Sequence, residues 1–278
     1  MELQILRQQV LDANLELVRG GLVLYTFGNA SGIARDRGLI AIKPSGVPYD
    51  TMSAEDIVVT DMSGRVVEGK LRPSSDLATH IEIYKRFPDV AGVTHTHSEF
   101  ATAWAQARRP IPCFGTTHAD YFHGPVPVTD ELTPQEIATD YERNTGVAIT
   151  RLFDRLGFPA VPAVLVAGHA PFCWGASPAE SAHNAVILES VARMAYYTIG
   201  IAEEPAPLSR ALHDKHFLRK HGSCLLYTST IFICSGVSGL ALSKNPATAG
   251  VCPSDSTSVL SACTRCHVGL STCASRLE

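Results

Sequence analysis

Three histidines stand at positions from which their imidazoles could bind one metal ion. His95 and His97 are two residues apart, and alternate residues of an extended strand point to the same face. His169 follows another apolar run and lies between a glycine and an alanine, small neighbours that leave room for close approach. Neutral imidazole suits zinc, and three protein ligands leave coordination positions for a substrate. The pattern predicts a catalytic zinc site at His95, His97 and His169, to which Asp76 could add a carboxylate.

Three short segments contain the small and polar residues that bind phosphate groups. Ser74 and Ser75 stand where a helix is predicted to begin, and the N–H groups at a helix start bind anions. Lys43 places a cation beside one small-residue turn, and a second turn exposes its amides at Gly28. A histidine pair or a turn is ordinary by itself, but together they indicate a phosphate pocket beside a metal. The candidate substrate-binding residues are Gly28, Asn29, Lys43, Ser45, Gly46, Ser74 and Ser75.

The elements that must position these residues are interleaved helices and short strands. Apolar residues at helical spacing predict an opening helix over 3–18, and turn residues separate the β-rich runs that follow. Ser75 is predicted to cap a helix that ends at Arg86, and another helix begins near Ser98. Capping boxes that begin at Thr133 and Ser177 each predict a helix of about twenty residues. Strands are predicted at 22–27, 39–43, 57–61, 90–95 and 163–167.

Several of these strands are joined by connections too short for a crossover helix, so antiparallel pairing must be present. The sequence therefore predicts an α/β fold in which helices flank one mixed sheet. Hydrophobic residues make up 45% of the 278 positions, enough to bury a core without disulfides or structural metals.

Charge and apolar patterning exclude several classes of partner. The formal net charge is −4, and no stripe of Lys and Arg suggests a nucleic-acid surface. The N-terminus lacks the basic and apolar regions of a signal peptide, and no 18-residue apolar stretch occurs. Before residue 223 the cysteines are Cys113 and Cys173, which fits a reducing compartment. We expect a soluble cytoplasmic protein with no nucleic-acid or membrane partner.

Six strings occur in an order and spacing that resemble a known family. They are FGNASG, IKPSGV, PSSD, HTHSEFATAWA, TTHADYF and LVAGHAPFCWG. Together they resemble the L-ribulose-5-phosphate 4-epimerase members of the class II aldolase family, over residues 1–222. The resemblance implies a three-layer α/β/α subunit with a largely antiparallel central sheet. It also implies a C4 homotetramer with active sites at the subunit interfaces.

The resemblance assigns roles to residues at matching positions. It implies that Zn²⁺ is held by His95, His97 and His169 with Asp76 as the carboxylate, and that the turns described above bind substrate and phosphate. It implies that Asp120 is the catalytic acid/base. It implies further that His216 and Arg219 reach into the site from a neighbouring subunit. The family places a tyrosine near its C-terminus on the opposite face, and by counting Tyr227 stands at that position.

The implied activity is inversion of C4 of L-ribulose 5-phosphate to give D-xylulose 5-phosphate, in pentose (arabinose) catabolism. The C4 hydrogen is not acidified by the ketone, so the route is cleavage and re-formation of the C3–C4 bond, with zinc stabilising the charge. Related aldolases typically have Glu where Asp76 stands, which favours the epimerase. A class II sugar-phosphate aldolase and a catalytically impaired metal-binding relative remain as alternatives.

Residues 223–278 do not match the family, which normally ends shortly after Gly222. This segment is rich in Ser, Thr and Cys without a helical period, and we expect it to be a poorly ordered tail beside a 1–222 enzyme domain. Cys263, Cys266 and His267 match the haem-attachment pattern, but no export signal accompanies them. A zinc knuckle is the other interpretation of the tail. Its ligands would come from Cys252, Cys263, Cys266, His267 and Cys273.

Overall fold

The computed structural model describes residues 3–156, 161–202 and 204–222 with their side chains, and residues 224–226 and 232–234 by their backbone. The chain divides into two compact units, Met1–Cys234 and Ser235–Glu278, of which the second lies outside the described residues. The first unit is built around one sheet. In the part of the chain that the structure describes, no helix is long and apolar enough to cross a membrane.

The central sheet has seven strands in the spatial order β4-β3-β2-β1-β5-β7-β6, and neighbouring strands all pair antiparallel. This confirms the α/β fold and the largely antiparallel sheet that the resemblance implies, whereas the sheet is not the mixed one predicted from the residues, because each of its six strand pairs is antiparallel. The strands are β1 Asn29–Ala34, β2 Leu39–Ile42, β3 Val58–Asp61, β4 Val66–Glu68, β5 Gly92–His95, β6 Ala163–Leu165 and β7 Pro171–Gly175. In a separate two-stranded sheet, β8 Cys224–Leu226 pairs antiparallel with β9 Phe232–Cys234.

Eight α-helices surround the sheet in the described ranges, together with a short 3₁₀ turn at Ala54–Asp56. They are α1 Leu3–Arg19, α2 Leu77–Arg86, α3 Glu99–Gln106, α4 Thr116–Ala119, α5 Pro134–Thr139, α6 Tyr141–Leu156, α7 Pro178–Ile201 and α8 Arg210–His221. Helices α1, α3 and α7 pack on one face of the sheet, and α2 and α6 pack on the other. The domain therefore has the three layers that the resemblance implies.

The alternating side chains of the strands divide the core between the two helical layers. On β2, Ile40 and Ile42 pack toward α2 and α6, whereas Ala41 packs toward α1. On β5, Val93 joins the layer of α2 and α6, and Thr94 bonds Ser181 of α7 at 2.7 Å. His95 ends this central strand, so both helical layers fix its position.

The prediction of a strand at 22–27 is wrong. Tyr25 has a φ of 52°, and the amide of Phe27 donates to the carbonyl of Leu24, so the backbone turns here. The strand begins instead at Asn29 and consists mostly of small residues. It is held by pairing on both sides, because β2 and β5 both bond to it. Neighbouring strands thus override the weak strand preference of this segment.

Two helix predictions also need correction. Helix α2 begins at Leu77 with Asp76 as its N-cap, not with Ser75. The capping box at Thr133 is present, but its helix ends at Thr139, because Asp140 leaves the helical conformation before α6 begins. At Ser177 the hydroxyl caps α7, a helix of 24 residues, although the carboxylate of Glu180 accepts from the amide of Ala176 and so does not complete the predicted capping box.

Candidate active site

The imidazoles of His95, His97 and His169 converge on one point at the end of β5 and the turn before β7. Nε2 of His95 lies 3.1 Å from Nε2 of His97 and 3.2 Å from Nε2 of His169. His95 is buried, His169 is half-buried and His97 is exposed, so one side of the cluster is open to solvent. The structure therefore brings together the three histidines that the sequence singled out.

The hydrogen bonds of the histidine rings leave their Nε2 atoms free to bind a metal ion at this point. Nδ1 of His95 lies 2.9 Å from the carbonyl oxygen of Pro171, which only accepts, so Nδ1 carries the proton. In the neutral ring Nε2 then presents a lone pair to the cluster. Burial, followed by the neighbouring imidazoles, lowers the pKa of His169 to about 4 and also lowers that of His97. Neutral imidazoles with converging lone pairs are the form that zinc binds.

Asp76 lies beside the histidine cluster but outside the group whose ligand atoms are all within 4.8 Å of one another. Its carboxylate accepts a hydrogen bond of 2.7 Å from the amide of Asn29 and a longer one from the hydroxyl of Ser74. Burial would raise its pKa, but the positive charge that His95 carries when it is protonated and the Asn29 bond outweigh that effect, and the pKa of Asp76 is lowered. An ionised carboxylate therefore faces the site, and its role as a ligand stays a prediction.

The three predicted phosphate-binding segments lie side by side next to this carboxylate. The backbone amide of Ser74 donates to the carbonyl of Lys43 at 3.0 Å, which joins the segment of Ser74 and Ser75 to that of Lys43. The hydroxyl of Tyr49, whose ring lies beside the ammonium of Lys43, donates to the carbonyl of Gly28 at 2.8 Å and so ties the Gly28 segment to the same group. Gly28 and Gly46 have φ values of 87° and 72°, a backbone conformation that residues with a side chain rarely adopt. Ser45, Gly46 and Ser75 are exposed at the opening.

Lys43 is buried beneath these segments. Its ammonium donates to the carbonyls of Thr26, Pro44 and Val47 at 3.4, 3.3 and 3.1 Å, and lies 4.6 Å from the ring centroid of Tyr49. Within the described ranges it forms no ion pair with a carboxylate. Burial lowers the pKa of Lys43 to about 8. A cation without a counter-charge, placed beneath exposed turns, favours an anionic ligand above it.

A second cluster of charged groups surrounds Asp120, at the end of α4. Nδ1 of His216 lies 2.9 Å from its carboxylate, and Arg219 and Lys220 approach at 3.0 and 3.6 Å, all from α8. Burial would raise the pKa of Asp120, but the His216 bond and the two cations outweigh it and lower the pKa. Asp120 is therefore in contact with His216 and Arg219 of its own chain, and the three residues form one cluster.

The Asp120 cluster and the histidine cluster are separate groups within one chain. No hydrogen bond, ion pair or ring contact joins them among the residues with described side chains. Helix α8 has no buried residue in this single chain. Tyr227, the predicted acid/base of the opposite face, lies outside the described residues. The haem-attachment and zinc-knuckle residues of the tail lie outside them as well, so both interpretations stay predictions.

Sequence reasoning missed several polar residues that surround the histidine cluster. His80, one helical turn after Asp76, is fully buried, and burial lowers its pKa to about 3. Its Nδ1 bonds the hydroxyl of Ser31 at 2.7 Å, which in turn bonds Tyr84 at 2.8 Å. The hydroxyl of Tyr141 lies 2.8 Å from Nδ1 of His169. The i, i+4 spacing from Asp76 could have indicated His80, but no local pattern indicates Tyr141.

Comparisons with known proteins agree with this geometry. L-ribulose-5-phosphate 4-epimerase UlaF of Salmonella paratyphi B is 51% identical over 225 residues, 81% of this chain and 99% of that protein. The protein of the same name from Salmonella typhi has the same identity and coverage. A solved L-fuculose 1-phosphate aldolase superposes with a TM-score of 0.66 at 26% identity, covering 76% of this chain and 93% of the other. Residues 8–196 match the family model described as Class II Aldolase and Adducin N-terminal domain, and the chain belongs to that family.

Proposed function

We propose that this chain is a zinc-dependent L-ribulose-5-phosphate 4-epimerase that interconverts L-ribulose 5-phosphate and D-xylulose 5-phosphate. The observation that carries the proposal is the convergence of three imidazole Nε2 atoms beside phosphate-binding turns. Identity of 51% to proteins named as this epimerase supports the choice of substrate. His95, His97 and His169 would hold the zinc, with Asp76 as the accompanying carboxylate.

The phosphate-binding turns orient the sugar phosphate and retain it through the reaction. The exposed amide of Gly46 and the hydroxyls of Ser45, Ser74 and Ser75 would bind the phosphate oxygens, above the buried charge of Lys43. When bound, zinc supplies a Lewis acid that stabilises the negative charge left on the three-carbon fragment as the C3–C4 bond breaks. If the phosphate stays bound while the aldehyde rotates, the bond re-forms with C4 inverted.

Proton transfer at the C4 oxygen needs one group on each face of the aldehyde. Asp120 is ionised at neutral pH, because His216 and two cations lower its pKa, and can therefore accept the C4 hydroxyl proton on one face. His216 and Arg219 hold its carboxylate. On the opposite face an acid must return a proton when the bond re-forms, and Tyr227 is the residue predicted for it.

Separation of the two clusters in one chain supports an active site shared between subunits. Asp120, His216 and Arg219 of one copy could serve the histidine cluster of a neighbouring copy. The two clusters would then need no contact within a single chain. The exposed α8 would then lie at the interface. We therefore propose a C4 homotetramer with four interface sites.

The proposal also includes the expected setting of the enzyme. A sugar phosphate as substrate suits pentose catabolism in the cytoplasm, with arabinose as the predicted source. Cys113 and Cys173 are both free thiols, which is compatible with a reducing compartment.

A class II sugar-phosphate aldolase is the second candidate, since the L-fuculose 1-phosphate aldolase shares the fold. Asp76 favours the epimerase, because related aldolases typically have at this position a Glu, whose longer carboxylate serves them as the proton-transfer group. The test is to incubate the purified full chain with zinc and L-ribulose 5-phosphate and to quantify all products. D-xylulose 5-phosphate as the main product supports the proposal. Dihydroxyacetone and glycolaldehyde phosphate as main products would support the aldolase, and no turnover would support the impaired relative.

A further inference from the structure

The three histidines of the cluster are held in different ways. The ring of His95 stacks on Phe172 with centroids 4.2 Å apart, and its Nδ1 is fixed by a backbone carbonyl on the adjacent strand. His169 lies in the short turn between β6 and β7, where Gly168 has a φ of 71°. Its Nδ1 has a side-chain partner instead, the hydroxyl of Tyr141 at 2.8 Å. His169 therefore depends on a distant side chain for its orientation.

Tyr141 is the first residue of α6, and that end of the helix is firmly attached. The hydroxyl of Thr79 on α2 donates to the backbone carbonyl of Glu142. The backbone amide of Asn144 donates to the backbone carbonyl of Asp140 at 2.8 Å. One turn further on, a Cβ at Gly146 would lie 2.7 Å from the side chain of Glu82, so the two helices are in close contact. Tyr141 thus presents its hydroxyl from a rigid element rather than from a loop.

We propose that Tyr141 is a positioning residue for the metal site, because it fixes the tautomer and the ring orientation of His169. The inference rests on the proposed zinc site. For Nε2 to present a lone pair to a metal, the proton of the neutral ring must be on Nδ1, and Nδ1–H then donates to the Tyr141 oxygen. The phenol oxygen of Tyr141, 2.8 Å from Nδ1, can accept this hydrogen bond. Partners of this kind orient metal-binding histidines and increase their basicity.

The test compares zinc affinity between the full-length wild type and Tyr141→Phe, by competition with a chromophoric chelator. Loss of this hydroxyl should lower zinc affinity about 10- to 100-fold. The ligand-field absorption of bound Co²⁺ should also shift, because the orientation of one ligand changes. Thermal unfolding of both zinc-free proteins tests whether the fold is kept, since the phenyl ring retains the packing.

Tyr121→Phe is a matched control. Its hydroxyl also lies beside a histidine ring nitrogen, that of His183 at 3.3 Å, but this histidine is not in the metal cluster. The control should keep wild-type zinc affinity. Unchanged zinc affinity and Co²⁺ spectrum in Tyr141→Phe would overturn the inference while leaving the proposed function intact. A wild type that binds no zinc would overturn both.

Discussion

At the scale of single residues, the site separates ionised groups of opposite charge that would otherwise neutralise each other. Asp76 is held by Asn29 and Ser74 next to the imidazoles, whereas the ammonium of Lys43 is directed to backbone carbonyls beneath the turns. Negative charge therefore faces the proposed metal, and positive charge lies behind the proposed phosphate. A ketose phosphate, with its oxygens at one end and its phosphate at the other, matches this arrangement.

Asp120→Asn should abolish most epimerase turnover without loss of zinc. The amide cannot accept the C4 hydroxyl proton, and removal of a general base lowers kcat by a factor of about 10²–10⁴. Steady-state kinetics and zinc analysis of the purified variant measure both quantities. Asp130→Asn is the control, since Asp130 pairs with Arg155 on the surface, 2.7 Å away, and should keep wild-type turnover. Full activity in Asp120→Asn would refute the assignment.

Lys43 should make substrate affinity depend on pH. Because its pKa is about 8, the ammonium is charged below that pH and becomes neutral above it. The KM for L-ribulose 5-phosphate should therefore rise as the pH passes through about 8. In Lys43→Met the KM should no longer depend on pH in this way. It should be about 10–100 times higher, because a hydrogen bond to a charged group contributes about 1.5–3 kcal/mol to binding. Lys85→Met, which removes an exposed lysine, serves as control, and an unchanged KM in Lys43→Met would contradict the role.

The residues that could be predicted from the sequence are those that form contiguous patterns. The HxH pair and the small-residue turns are local strings, and the structure brings them together as expected. Tyr141 could not be found in this way, because its partner His169 is 28 positions away. His80 has a local signal in its spacing from Asp76, but its bond to Ser31, 49 positions away, follows from the packing of α2 and from no local pattern. The site residues that no contact tests, Tyr227 above all, stay predictions.

At the scale of elements, β5 is the part on which the metal site depends most. It lies between β1 and β7, and its last residue is His95. Gly92, its first residue, packs directly against the backbone where α7 begins at Ser177 and Pro178. The strand can approach α7 so closely only because residue 92 has no side chain.

Gly92→Ala should therefore destabilise the protein strongly. A Cβ would overlap the backbone of Ser177 and Pro178, which cannot move without shifting α7. Overpacking of this kind should lower the free energy of unfolding by about 3 kcal/mol. Urea denaturation of the zinc-free protein measures the change.

Gly200→Ala is the matched control for this experiment, because a Cβ at this position of α7 meets nothing within 4 Å. It should leave stability unchanged or raise it by about 0.4–1 kcal/mol. Equal stability of Gly92→Ala and the wild type would show that β5 and α7 can separate at low cost.

Element boundaries were predictable where the local pattern and the tertiary contacts agree. The opening helix, β2, β3 and the start of α7 are such cases. The apolar run 22–27 was predicted to be a strand, yet the strand is the small-residue segment after it, because that segment has partners on both sides. The break at Asp140 has no Gly or Pro to indicate it.

At the scale of the whole molecule, the proposed active site is incomplete in one chain. The metal-binding half and the acid/base half form separate clusters, and each would need a neighbouring copy. The tail does not change this reasoning, because α8 ends before the predicted domain boundary at residue 222. The family model matches residues 8–196, so it does not test the prediction that a separate tail begins after residue 222.

Mixing two inactive variants tests whether the site is shared. Asp120→Asn and His97→Asn should each be inactive alone, because the first lacks the general base and the second does not bind zinc. Hybrid tetramers reassembled from equal amounts should regain about a quarter of wild-type activity, because random pairing joins intact halves at one interface in four. Activity of the refolded mixture is the measurement. Hybrids that stay as inactive as their parents would place both halves of the site in one chain.

The most direct test of the central claim is epimerase activity as a function of zinc added to metal-free protein. Conversion of L-ribulose 5-phosphate to D-xylulose 5-phosphate should be absent without metal. It should rise in proportion to zinc and level off at about one equivalent per chain, since one cluster of three histidines is present in the described residues. Full conversion by the metal-free protein, or stoichiometric zinc binding without any conversion, would contradict the account.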